Sequence, residues 1–515
     1  VPVARLERVY WALPALAVIA VYARSWGHSF AWDDAYLIVG NPSVHGFDHA
    51  LSWFAEPWAA GATSGDGRAQ NALYWRPLTQ ASFALDWVMG GGHPWPFHLT
   101  NTLLHALSAS AVAVGARAVG RRLAPSVGVL AAIFAGLLWA VHPVHGEAVN
   151  LATYRSSLLA GAATLWGAAL WQRGGLSRYW VVPALYAAGL CAKEEAAVLP
   201  GLLVVLELTV LRSGGDIPNA VSPQPSHRRR APWTLACMVV LLAAWWWVRK
   251  RVTGAPVLDF FAAASASETV ATMMKVYLLD LRLLVWPWPL TPFYDWTLFP
   301  VATTWVDSEV LGGALALLFT AALALAGALG RLPALGAISG WFLLALLPYS
   351  HILPFFDVAA ERFLYVPSAA VAVGVALGAV RLGRKAALGA LAVTMVFASL
   401  SWTRVPHFAN TSMLLQETAR RFPHSFSAHF ELGRVRSEQG EHAEAVAAFQ
   451  AAHALLPGLE AAGMGLLQGL QRAGRGAEAG EFARAELEAH ARDISSEYRR
   501  MLEAAALANP PKGAR

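Results

Sequence analysis

Apolar residues come along this chain in long blocks, and the polar residues collect in the gaps between them. Blocks long enough to cross a bilayer, counting their interfacial residues, lie near 9–23, 99–117, 127–142, 156–172, 179–192, 196–211, 233–249, 309–329, 334–349, 366–380 and 386–403. The pattern predicts an all-α, polytopic membrane bundle of about eleven spans. The first block has the length of a signal-peptide core, but no convincing small-x-small cleavage pattern follows it, so it is read as the first span. With the N-terminus inside, Arg5/Arg8, Arg117/Arg121/Arg122, Arg173/Arg178, Arg212/Arg228/Arg229/Arg230, Arg331 and Arg381/Arg384/Lys385 all fall in inner turns, as the positive-inside rule asks. Arg249-Lys250-Arg251 is the exception, at an outer boundary. An odd number of spans leaves the C-terminal segment outside.

Two stretches depart from this alternation. Met273 to Val285 is apolar but carries Lys275, Asp280 and Arg282, and Trp286-Pro287-Trp288-Pro289 follows. It reads as an amphipathic helix lying in the outer interface, within an outer loop over 250–308. The segment 213–232, rich in Pro, Ser and Arg, reads as a mobile cytoplasmic loop. Beyond Trp402 the pattern changes to soluble helix. Leu432-Gly433, Ala445, Phe449, Ala452 and Pro457 have the spacing of a 34-residue tetratricopeptide repeat (TPR), with Leu415 and Pro423 one repeat earlier and a degenerate repeat through Leu466, Leu470 and Ala477 to Ala485. The expected division is a membrane domain over 1–404, with 24–98 as its first outer loop, a TPR-like helical domain over 405–508, and a disordered tail over 509–515. One repeat cannot bury its own face, so this short array must stack on neighbours.

Composition sharpens the picture. At 56% hydrophobic and 14% charged residues over 515 positions, the chain is far from a soluble protein. Cys191 and Cys237 both sit in apolar blocks, which excludes a disulfide framework or a zinc motif. The formal charge of +6 resides mainly in inner turns and marks topology, with no nucleic-acid partner implied. An Ala, Gly, Arg and Leu bias suggests a GC-rich bacterial source, hence a cytoplasmic membrane with the outer loops on the periplasmic side.

The first outer loop holds Asp33 and Asp34 among aromatic residues at the foot of a span. Adjacent carboxylates at an interface need partners or a function. One could serve as general base toward an acceptor hydroxyl; the plainer alternative is an N-cap with a solvated neighbour. Arg76, just before Pro77, is either a snorkelling anchor or a ligand. His142, His145 and Glu147 have metal-ligand chemistry, but Pro143 and Gly146 separate them; hydrogen bonding to a loop or substrate is the favoured role and no metal is predicted. Lys193 beside Glu194 and Glu195 forms either a local ion pair or a phosphate contact. Arg362 could pair with Glu361 or Asp357, or grip a phosphate. Together Arg76, Arg155, Lys193 and Arg362 bring cations to the face that carries the aspartates, which suits an anionic lipid reacting at the outer surface. No P-loop or Rossmann glycine pattern is present.

Six blocks in order carry a resemblance: Trp32-Asp33-Asp34 with Asn41-Pro42; Tyr74-Trp75-Arg76-Pro77-Leu78-Thr79; His98 to His105; His142-Pro143-Val144-His145-Gly146-Glu147-Ala148-Val149; Lys193-Glu194; and Glu361-Arg362-Phe363-Leu364-Tyr365-Val366-Pro367. With the C-terminal repeats, this series resembles the transmembrane and TPR-containing O-mannosyltransferase-like proteins of the glycosyltransferase C superfamily. The resemblance implies an inverting transferase that takes a sugar from a polyprenyl phosphate, with Asp33 or Asp34 as base. It further implies donor phosphate near Arg155, Lys193 or Arg362, a protein or glycan acceptor, and no cofactor beyond the lipid-linked donor. The short repeat array departs from the animal members and leaves the acceptor open. The competing expectations are a non-catalytic scaffold or receptor that binds partners through its repeats, and a transporter. The transporter is disfavoured because the ionisable residues sit at span ends.

Overall fold

The computed structural model describes residues 7–58, 60, 62, 74–123, 128–211, 225–254, 260–490 and 494–509, and among them every regular element is helical. Most of the expected mobile loop, 213–224, and the tail from 510 lie outside the described residues. The chain forms two compact units: Val1–Pro292 with Val301–Ala409, and Phe293–Pro300 with Asn410–Arg515.

The first unit contains α1 (Ala12–Tyr22), α2 (Pro77–Gly90), α3 (Trp95–Leu123), α4 (Gly128–Ala140), α5 (Gly146–Asn150), α6 (Arg155–Arg173), α7 (Ser177–Ala192), α8 (Leu199–Leu206), α9 (Pro225–Thr253), α10 (Ala266–Val285), α11 (Ser308–Ala328), α12 (Pro333–Leu346), α13 (Pro367–Arg381) and α14 (Arg384–Arg404). Each apolar block thus became helix. Proline at the first turn starts α2, α12 and α13, where its missing N–H costs nothing. Gly91, in left-handed backbone (φ 58°), closes α2. The Met273–Val285 stretch lies in α10, which opens on a Ser265/Glu268 capping box and buries Lys275 and Asp280.

Trp95–Arg122, Pro232–Thr253, Ser308–Ala328 and Arg384–Phe408 are long and apolar enough to cross a membrane; Gly128–Ala140 with Pro143–Asn150, bent by 49°, makes a fifth if counted as one broken span. The other blocks are shorter, as in α12 and α13, or more polar, as in α6 with Arg155, Ser156, Ser157 and Gln172. Leu315, Leu318, Phe319 and Leu325 on α11, and Val393, Met395 and Val396 on α14, are largely exposed. Such apolar faces are stable in lipid and a liability in water. The chain is a multi-pass membrane protein.

Small residues let the helices approach closely. A Cβ at Gly136 would come within 2.4 Å of Pro14, and one at Gly161 within 2.5 Å of the Tyr365 ring. That second contact matters, because Tyr365 closes a loop pinned to the end of the bundle. Trp139 Nε1 donates to the Tyr365 carbonyl (3.2 Å) and Trp341 Nε1 to that of Val366 (3.0 Å). His105 Nε2 donates to the Ala140 carbonyl (3.0 Å), which leaves Nδ1 to accept from the Tyr365 hydroxyl (3.0 Å).

The second unit contains α15 (Thr411–Arg421), α16 (Phe426–Glu438), α17 (His442–Leu455), α18 (Glu460–Arg472), α19 (Gly476–His490) and α20 (Ser496–Ala508). The starts of α16 and α18, at Phe426 and Glu460, and of α17 and α19, at His442 and Gly476, share the expected repeat spacing. Gly433 lies against the Phe449 ring, where an added Cβ would approach to 2.7 Å, and Ala445 and Ala452 are fully buried. Residues Phe293–Pro300 join this unit through Asp295. Its Oδ2 accepts from Ser425 Oγ and Ser427 N, both at 2.9 Å, while Thr297 Oγ1 accepts from Phe426 N at 3.0 Å. The open amides of the α16 N-terminus are thereby satisfied.

Candidate active site

The two aspartates of the first loop have opposite surroundings. Asp34 is fully buried. Its Oδ2 accepts from Ala31 N (3.1 Å) and Ala152 N (3.2 Å) and its Oδ1 from Thr153 N (2.8 Å), so it ties the loop to the turn before α6. Burial raises its carboxyl from 3.8 to about 6 against the pull of these amides. Asp33 is half-buried. Its carbonyl accepts from Tyr36 N and Leu37 N, so its backbone is fixed while its carboxylate bears on Tyr154. The preceding Trp32 has φ 55°. Non-glycine residues in that conformation are strained by about 1–3 kcal/mol and concentrate at functional sites.

Arg362 organises the opposite wall. Its guanidinium donates to Glu147 and to Asp357, and its backbone N–H donates to Glu147 Oε2 at 2.9 Å. The same guanidinium lies 4.3 Å from the centre of the Tyr154 ring. Asp357 is held in turn by His351, whose Nε2 donates to its carbonyl at 3.2 Å. His351 has φ 54°, and with Trp32 it makes up the described non-glycine residues of positive φ. Burial, opposed by Arg362, pushes the Tyr154 phenol up; burial pushes Tyr74 up to about 12, with Arg76 and Arg362 opposing and Glu194 and Asp357 adding to it. The Arg76–Glu194 pair and the Arg362–Asp357 pair thus both act on the Tyr74 phenol.

The remaining cations are also matched. Arg76 donates to Glu194 through Nη2 (2.7 Å) and Nε (3.3 Å), with the rings of Tyr74 and Trp58 at 4.3 and 4.6 Å. Burial raises Glu194, but the charge and hydrogen bonds of Arg76, with Lys193 and a backbone amide, together outweigh it and hold the carboxyl at about 2. Lys193 Nζ meets Glu195 (2.7 Å), Ser157 Oγ (2.7 Å) and the Tyr349 hydroxyl (3.2 Å). Glu361 pairs with Arg404 at 2.5 and 2.7 Å, so Arg362 turns from its sequence neighbour to Glu147 and Asp357. His142 Nε2 donates to the Leu284 carbonyl at 3.1 Å. His145 packs among the rings of His105, Trp139 and Tyr365.

Arg155 is placed differently from the expectation. It is 0% exposed, paired with Asp86 at 2.5 Å, and donates to Asn101 Oδ1, Ser82 O and Phe97 O at 2.9–3.0 Å. Every direction of its fork is used inside the wall, so it joins the scaffold. Asp33, Glu147, Arg362, Arg76, Glu194 and Lys193 are brought together; Asp34, Arg155 and Glu361 hold the walls. Reasoning from sequence missed Tyr154, Tyr349 and Arg404, and none of these carries a local signal. Among the described residues no group of three His, Cys, Asp or Glu side chains is arranged to hold a metal ion.

The fold and site define a polytopic helical membrane protein with a dense ion-paired cluster at one end of its bundle. Comparison with known proteins gives that class a kinship. The chain is 25% identical over 497 residues to Protein O-mannosyl-transferase TMTC4 of Mus musculus, covering 85% of this chain and 65% of that protein. It is 27% identical over 508 residues to Protein O-mannosyl-transferase TMTC1 of Homo sapiens, covering 87% and 55%. Over a shorter stretch of 204 residues, 37% of this chain and 20% of the relative, it is 34% identical to Protein O-mannosyl-transferase Tmtc2 of Drosophila melanogaster. The chain thus spans under two thirds of the length of these relatives. The resemblance drawn from its six blocks is borne out. No family model and no solved structure matches the chain.

Proposed function

We propose that the chain is a membrane glycosyltransferase that moves a sugar, mannose by analogy with its relatives, from a polyprenyl-phosphate donor to an acceptor hydroxyl at the outer face, with inversion. The observation that carries this reading is the gathering of Asp33, Tyr154 and the Glu147–Arg362–Asp357 cluster at one end of the bundle. In it Asp33 is the general base, taking the acceptor proton as the oxygen attacks the anomeric carbon. Asp34 orients the loop. The lipid phosphate leaves with its negative charge, which the fixed guanidinium of Arg362 stabilises as it develops, with Arg76 and Lys193 bearing on the same place. Because each cation is already matched by a carboxylate, the cluster is preorganised without a large net charge.

The shorter apolar helices complete about eleven crossings, which leaves the site and the second unit outside, on the periplasmic side of a bacterial cytoplasmic membrane. The repeat spacing from α16 to α19 supports a TPR-like unit that selects a protein or glycan acceptor. No cofactor enters, since the lipid-linked sugar is itself the donor substrate. The test is turnover of radiolabelled polyprenyl-phosphate-mannose by purified protein, wild type against Asp33→Asn. Loss in the variant is expected. Equal turnover removes Asp33 as base, and silence of the wild type across a panel of lipid-linked sugars removes the transferase.

A further inference from the structure

Between α3, α6, α12 and α13 the first unit holds a partly open cavity of about 270 Å³, which runs toward the ends of α6 and α13 that lie away from Asp33. Along α6 its lining runs from Leu165 to Gln172, which at 1.5 Å per residue puts its near end about 15 Å and its polar mouth about 25 Å from Arg155 in the wall of the candidate active site. Gly115, Ala169, Ile338 and Gly378 are among the residues that line it, and a Cβ built at Gly378 meets nothing within 4 Å. The walls are apolar with two exceptions, Gln172 and Arg381, each at the last turn of its helix. Gln172 is 6% exposed, and its Oε1 has no hydrogen-bond partner.

These features call for an occupant. An apolar cavity is a poor site for water, and a buried amide oxygen without a donor is costly to leave unpaired. We infer that this cavity is a resident phospholipid site: it holds part of one acyl chain, with an anionic headgroup at its mouth. Arg381 meets the phosphate, and Gln172 Oε1 accepts from a headgroup hydroxyl. Arg384 and Lys385 follow three and four positions after Arg381 and add positive charge to the same turn. Basic pockets between membrane helices bind anionic lipid headgroups in this manner. The compact volume and a polar mouth at the ends of α6 and α13 away from the candidate active site favour a phospholipid over the long tail of a polyprenyl donor, so the inference stands independently of the transferase reading.

The experiment is native mass spectrometry of detergent-purified, delipidated full chain titrated separately with dioleoyl-phosphatidylglycerol, dioleoyl-phosphatidylcholine and a polyprenyl phosphate. One phosphatidylglycerol should be retained by the wild type and by Gly378→Ala. Gly378→Leu, which fills the cavity, and Gln172→Leu, which leaves its shape nearly unchanged, should each weaken retention at least about tenfold, or 1.4 kcal/mol. Arg381→Gln should erase the preference over phosphatidylcholine. Equal retention by wild type, Gly378→Leu and Gln172→Leu overturns the site. Equal binding of both phospholipids by the wild type overturns the headgroup assignment, and displacement of phosphatidylglycerol by polyprenyl phosphate overturns the choice of occupant.

Discussion

Replacing Asp34 and Asp33 in turn by asparagine separates scaffold from chemistry. At Asp34 the amide keeps an oxygen for Ala31 and Ala152 but turns an NH2 toward the Thr153 amide, which now sits 2.8 Å from Oδ1. Losing one hydrogen bond to a charged group costs about 1.5–3 kcal/mol. Against this, burial raises the Asp34 carboxyl from 3.8 to about 6, so holding it ionised at neutral pH costs about 3 kcal/mol that asparagine does not bear. The two effects nearly cancel. Alanine strands three amides at about 1–3 kcal/mol each and recovers the same charging cost, so it should be the more damaging change.

The sign with pH follows from linkage. The folded pKa lies above the unfolded one, so the wild type loses stability as pH rises from 3.8 to about 6, while asparagine does not titrate. Relative to wild type, Asp34→Asn should therefore gain about 3 kcal/mol across that window and hold level above it. Thermal unfolding in detergent at about pH 4 and about pH 7.5 reads this gap, and donor turnover on the same samples reads chemistry. Asp34→Asn should keep turnover within about threefold, and Asp33→Asn should lose at least about 100-fold with an unchanged melt. Turnover abolished in Asp34→Asn with an unchanged melt, or kept in Asp33→Asn, refutes the assignment.

Arg362→Lys keeps a charge but cannot hold Glu147 and Asp357 together, so turnover should fall at least about 100-fold while expression persists; turnover near wild type would separate this fork from the reaction. Arg155→Leu should cost about 3–5 kcal/mol by leaving Asp86 unpaired, and the double change with Asp86→Leu should recover most of it in a melting series. Glu194→Gln should lose about 3 kcal/mol at neutral pH, because the Glu194 pKa is lowered from 4.5 to about 2; that contribution is complete above 4.5 and fades as pH falls toward 2, which acid titration of the melt would show. Gly433→Ala should destabilise the second unit by about 1–3 kcal/mol through the Phe449 ring, and Phe449→Leu should relieve part of that, read by proteolysis of the unit.

The helices were legible because a bilayer imposes a local rule: an apolar block such as 309–329 must satisfy its own backbone, and α11 occupies it almost residue for residue. The repeat spacing was legible for a related reason, since Gly433 and Phe449 are fixed by packing within one hairpin. The partners in the site were not. Arg362 meets Glu147 across 215 residues and Arg76 meets Glu194 across 118, and nothing near either arginine announces its carboxylate. Sequence adjacency even misleads: Lys193 takes Glu195 while Glu194 crosses to Arg76. Asp33 and Asp34 could not be told apart, because the amides that claim Asp34 belong to Ala152 and Thr153, more than a hundred positions away.

The capping of α16 by Asp295 has a consequence for how the second unit can be detached. The polypeptide enters that unit twice, as Phe293–Pro300 and again from Asn410, so three peptide crossings tether it instead of one. A single protease cut near 409 would leave the helical piece clasped to the strand it was severed from. Severing the loop at 293 or 300 alone would leave it attached through 409. The unit behaves as a buckle, and only cutting all three crossings, or unfastening Asp295 after a cut near 409, sets it loose.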